Sequence, residues 1–154
     1  MRIASCLLVL LFASHAVAQD DLDSAFEKDV LIVHASENAC YRLDIYVARS
    51  SAQKSRGLMF VRNLPETTGM LFIYDADANL SMWMKNTFIP LDILFVRADG
   101  TVSSIAYDTE PQSLQSIAAL EPVRYVLELN AGVAEKLSID QYSRIEWDGL
   151  FDDQ

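Results

Sequence analysis

Between Gly69 and Gly100 the chain reads GMLFIYDADANLSMWMKNTFIPLDILFVRADG, setting charged and amide side chains inside apolar runs no longer than a strand. Runs this short, closed off by Asp75–Asn79, Asn86–Pro90 and Ala98–Thr101, suit strands and are too brief for amphipathic helices. A polar group buried without a partner costs about 1–3 kcal/mol, and more when charged. Lys85, Asn86, Thr87 and Asp92 therefore belong either to a structural network or to a site.

The flanking sequence repeats the pattern. Val30–Val33 is a continuous apolar run, and Leu43, Ile45 and Val47 alternate with Asp44, Tyr46 and Ala48, which predicts two strands around a Ser36–Asn38 turn. Ser50-Ser51-Ala52-Gln53 matches a capping box opening a short helix toward Arg56, and Gly57 supplies its stop. Asp99-Gly100 is a hairpin signal joining Leu91–Arg97 to Val102–Asp108, and Pro90 stands where the first of these strands begins. Glu110 to Pro122 lacks periodicity and reads as a surface connection. Tyr125–Leu129, a brief helix over Ala131–Leu137 and a last strand at Ser143–Trp147 complete the chain. About eight short strands against two short helices predict a mainly β fold, a compact antiparallel β-sandwich or partly closed barrel. A doubly wound parallel sheet is disfavoured, since the strands lack long helical crossovers.

Arg2, the apolar run Ile3–Phe12 and the small-residue exit Ala16-Val17-Ala18 read as a secretory signal cleaved after Ala18. The run is shorter than the roughly 20 residues a membrane span needs, so no stable membrane insertion is expected after cleavage. The expected organisation is a signal over residues 1–18, a flexible acidic leader over 19–28, one domain over 29–149 and a tail over 150–154, in a periplasmic or secreted protein. The net charge of −10 repels phosphate backbones and argues against nucleic-acid partners. Cys40 is the one cysteine outside the signal, so no internal disulfide is expected. Cys40 reads as a small buried hydrophobe and His34 as a structural strand residue.

Strand alternation separates Met82, Met84 and Asn86 from Trp83, Lys85 and Thr87, places Asp92 with Leu94 and Val96, and sets Glu128 and Asn130 beside Val126. Lys85, Asn86, Thr87, Asp92, Glu128 and Asn130 are the candidates to converge on a small-ligand cleft, with Trp83 as an apolar wall. The bland alternative is that Lys85 pairs with Asp92 or Glu128 to hold the turn before Pro90. Three other readings stay open: a hydrolase-type enzyme using Asp92 and Glu128 as acid and base, an accessory module docking an envelope protein, and a copper-binding protein using Met59, Met70, Met82 and Met84 with Cys40 or His34. No nucleophile elbow, phosphate-binding glycine loop or metal motif is present, so the sequence names no catalytic residue, cofactor or metal.

Six blocks carry a resemblance: Gly57-Leu58-Met59, Gly69–Phe72, Trp83–Thr87, Ile89–Phe95, Asp99-Gly100 and Val126–Gly132. In that order they resemble the domain-of-unknown-function family 192, over about residues 30–147. The resemblance implies a compact, mostly β single domain, commonly behind a bacterial secretion signal, with no established activity. The chain departs from it at Asp140-Gln141, where relatives usually carry a Gly-Asp turn before the final strand.

Overall fold

The computed structural model describes residues 17–36 and 39–148. In chain order these form α1 (Val17–Ala25), β1 (Glu27–Ser36), β2 (Ala39–Ala48), α2 (Ser51–Arg56), β3 (Thr68–Ala78), β4 (Ser81–Met82), β5 (Leu91–Val96), β6 (Val102–Ala106), β7 (Ile117–Ala118), β8 (Val123–Asn130), α3 (Val133–Lys136) and β9 (Arg144–Glu146). The fold is the mainly β one that the strand count predicts, a seven-stranded sheet curled into a half-barrel beside a second sheet of β4 and β7.

Strand order in the large sheet is β6-β5-β8-β3-β2-β1-β9. Every pair is antiparallel except β2 and β3, which run parallel because α2 and the loop after it carry the chain back across. The helix has the capping box that the serines promise, with Ser50 accepting from the Gln53 amide and Gln53 answering on the Ser50 amide. The Asp99-Gly100 turn joins β5 to β6, with Gly100 at φ 86°. Gly100 also draws the two rims of the sheet together. Its carbonyl accepts from Ile145 N at 2.8 Å, and Val102 N donates to Ser143 O at 2.9 Å. A Cβ on Gly100 would lie 2.5 Å from Ile145 O, so the seam requires glycine there. At Asp140-Gln141 the chain turns without a glycine, since the Asp140 carboxylate accepts from Tyr142 N at 2.8 Å and from the Ser143 hydroxyl.

Curling gives the sheet two apolar faces. The inner one packs Leu31, Leu43, Leu71, Leu94, Leu127 and Ile145 into one core, closed at one end by Val133 and Ala134 of α3. The outer one packs Met70, Phe72, Ile93, Phe95 and Val126 beneath α1 and the segments around Leu58, Val61 and Met84.

Three expectations change. Residues 19–28 are no loose leader: they run from α1 into the start of β1, with Leu22 buried in the helix and Phe26 buried just past its end, the Phe26 amide bonded to Leu22 O at 3.0 Å. Two anchors at helical spacing suffice to fix the segment despite its acidic composition. The signal assigned to residues 1–18 lies outside the described residues except for its last two. The connection at 110–122 contributes β7, which pairs Ile117 with Met82 and covers the outer core. Cys40 is exposed rather than buried, its thiol 3.2 Å from His34 Nδ1, while His34 Nε2 meets Glu146 at 2.9 Å.

Candidate functional site

Registration of β5 against β8 decides which polar residues meet. Asp92 lies opposite Leu129, and Ile93 opposite Glu128. Paired positions share a face, so Asp92 points inward with Leu129 and Leu94, whereas Glu128 points outward with Ile93 and Val126. The two carboxyl groups are on opposite sides of one sheet and cannot flank a common substrate. An acid and base pair made of Asp92 and Glu128 is thereby overturned.

Asp92 is fully buried and fully used. One oxygen accepts from Asp108 N at 3.0 Å and the other from Ala134 N at 2.9 Å. It pins the end of β6 and the start of α3 to the middle of the sheet. A hollow of about 540 Å³ lies beside it, bordered by Tyr107, Asp108 and Glu135. Asn130 is also structural: its amide donates to Leu64 O at 2.9 Å and Pro65 O at 3.2 Å, bracing the loop before β3.

Glu128 differs from both. It is 4% exposed, and among the described residues its carboxyl makes no hydrogen bond or ion pair. Burial alone pushes its pKa up to about 8, so the group is mostly neutral at pH 7. Gly69 allows the fit, because a Cβ there would come within 2.7 Å of Glu128 O, and glycine lets β3 press against β8 at this residue.

The Glu128 side chain lines a small pocket of about 100 Å³ with Tyr74, Trp83, Thr87, Met59 and Met82, rimmed by Lys54 and Arg56. The Tyr74 hydroxyl likewise has no hydrogen-bond partner among the described residues, and its pKa is raised by burial and then by neighbouring Glu128. Trp83 is 49% exposed and forms part of the mouth. Lys54 Nζ lies 4.5 Å from the Tyr74 ring centre and donates to Ile73 O at 2.9 Å, and Lys85 Nζ lies 5.1 Å from the Trp83 ring centre.

Thus the structure gathers Trp83, Thr87 and Glu128 at one pocket, sets Lys85 over the Trp83 ring, and leaves Asp92 and Asn130 outside. Strand alternation does not extend through Trp83–Thr87, since β4 ends at Met82 and Lys85-Asn86 form a turn with Asn86 at φ 57°. The Asn86 amide donates to Met59 Sδ at 3.8 Å, which fixes one wall. Lys85 makes no ion pair with Asp92 or Glu128, so the bridging role considered for it is absent. The methionines divide as well: Met59 and Met82 line the pocket, Met70 and Met84 are core, and His34 and Cys40 bond each other on β1 and β2. No group of three or more His, Cys, Asp or Glu suited to a metal occurs among the described residues. Sequence reasoning missed Tyr74 and Lys54. Tyr74 is two residues beyond Phe72 on the same face of β3, a parity that could have found it.

The family model DUF192, described as an uncharacterized ACR, matches residues 32–147. A crystal structure from Sinorhizobium meliloti 1021, described as a "putative transcription regulator", is 36% identical with a TM-score of 0.79, over 80% of this chain and 96% of that one. A protein of unknown function from Novosphingobium aromaticivorans DSM 12444 is 34% identical with a TM-score of 0.77, over 80% of this chain and 88% of that one. No curated protein matches.

Proposed function

The chain belongs to the uncharacterised DUF192 family, and from that premise we propose that it is an exported domain that binds a small ligand in the Glu128 pocket. One observation carries the reading: Glu128, a residue 4% exposed, has no hydrogen-bond or ion-pair partner for its carboxyl among the described residues and lines a pocket with Tyr74, whose hydroxyl also lacks a partner among them. Leaving such a group unsatisfied costs about 1–3 kcal/mol, a cost that a ligand with matching polar atoms recovers. Larger hollows exist, but the one beside Asp92 faces oxygens already bonded to the backbone.

Export follows from the N-terminal segment. Cleavage after Ala18 leaves Leu22 and Phe26 to anchor α1, so the mature chain keeps its packing. No helix among the described residues is long and apolar enough to cross a membrane. The regulator description belongs to the Sinorhizobium protein, and a net charge of −10 gives this chain no support for DNA binding.

Native mass spectrometry of the protein isolated from its own compartment tests the reading. The expected result is an N-terminus at Gln19 and a retained small mass that a folded Glu128→Leu variant loses. A clean apo mass in both overturns ligand binding, and a co-purified protein bound across exposed Phe60 and Trp83 replaces it with the accessory role.

A further inference from the structure

Resting on the binding role just given, the chemistry of the pocket also selects a class of ligand. Its floor offers donors. A neutral carboxyl presents one O–H and the Tyr74 phenol another, and neither is used by the described residues. Its rim is positive. Lys54 and Lys85 have no carboxylate partner among the described residues, although the whole chain carries 22 acidic residues against 12 basic. In so acidic a protein, an ammonium group lining the pocket and a second over the Trp83 ring at its mouth, neither ion-paired among the described residues, form a local site for negative charge. A cationic ligand finds the opposite situation, because an ammonium already stands over each aromatic ring, Lys54 over Tyr74 and Lys85 over Trp83, and would repel it.

We propose that the pocket takes the carboxylate head of a small hydroxylated organic acid, hydrogen-bonded by Glu128 and Tyr74, with Trp83 covering its carbon skeleton and Lys54 and Lys85 facing its charge. The volume of about 100 Å³ admits the head group, and half-exposed Trp83 at the mouth meets the rest. Charged or titratable groups sharing the pocket with Glu128 are Tyr74 from β3 and Lys54 and Arg56 from α2, with Lys85 further out over the Trp83 ring, while β5 places Ile93 opposite. Arg56 is already paired with Asp21. Ionising Glu128 therefore sets a second negative charge against the bound carboxylate, and affinity falls as pH rises through about 8.

Calorimetry on the mature protein with gluconate, its uncharged counterpart sorbitol, and the permanent cation choline tests this at pH 6.5 and pH 9, with Trp83 fluorescence reporting occupancy. Gluconate should bind at pH 6.5, more tightly than sorbitol, and about tenfold more weakly at pH 9, where about a tenth of Glu128 stays neutral. E128Q keeps a neutral donor and should bind equally at both pH values, and Y74F should weaken gluconate at both. Choline bound in preference, or any ligand tightening as pH rises, overturns the acid class and leaves the pocket's binding role standing. Binding of none of the three also overturns the class, and the Glu128-dependent retained mass then judges the binding role by itself.

Discussion

Two carboxyl groups sit on adjacent strands in the middle of one sheet, and the protein treats them oppositely. Asp92, on the inner face, spends both oxygens on backbone amides of distant segments. Glu128, on the outer face, spends neither on any described residue, and burial pushes its pKa up to about 8. Burial is the same in kind. The difference lies in whether the fold supplies partners, and it separates a group that holds the architecture from one held ready by it.

Replacing each group in turn strains that contrast most. Asp92→Ala orphans the buried Ala134 N–H and the partly buried Asp108 N–H and opens a void, and should cost about 3 kcal/mol in urea unfolding. Glu128→Gln at pH 6 should change stability by less than about 1 kcal/mol, because a neutral group replaces a neutral group. Equal losses in the two variants would erase the distinction.

Acidity sharpens it next. The unfolded chain releases the Glu128 proton near 4.5, whereas the folded protein holds it to about 8. The favourable contribution is complete below pH 4.5 and is lost as pH rises to 8, with a slope approaching about 1.4 kcal/mol per unit. Urea midpoints at pH 5, 6.5 and 8 should show this decline in the native protein and lack it in Glu128→Gln.

Smaller effects test the outer face alone. Asn130→Ala should cost about 1–2 kcal/mol by freeing the Leu64 and Pro65 carbonyls, although Asn130 is only two residues from Glu128 on β8. Tyr74→Phe should alter stability by less than about 0.5 kcal/mol, since its hydroxyl bonds nothing among the described residues. A larger loss on thermal unfolding would reveal a structural role for the phenol and move Tyr74 to the Asp92 side of the contrast.

Much of this was written locally in the sequence. The Ser50 cap, the Asp99-Gly100 hairpin and the parity within β5 and β8 each follow from a few neighbouring residues, and each is realised. Parity inside a strand does not fix its register against another, however. Asp92 and Glu128 could be assigned faces one strand at a time, but only pairing of Ile93 with Glu128 shows that those faces are opposite. Tertiary anchoring hid α1 for a similar reason, since Leu22 and Phe26 give only two apolar marks in an acidic stretch. Tyr74 escaped because a strand tyrosine has no chemical signature until its hydroxyl is seen to lack a partner.

The seam at Gly100 governs the order in which the molecule can be finished. Strand β9 pairs with β1 and also bonds the hairpin at Gly100, so it joins the earliest strand to the middle of the chain. Until residues 143–146 have emerged, the first strand keeps a raw border able to recruit another copy. Residues 143–146 thus act as the fastener of the whole domain, and a product cut short before them would be the form most prone to stick to its neighbours.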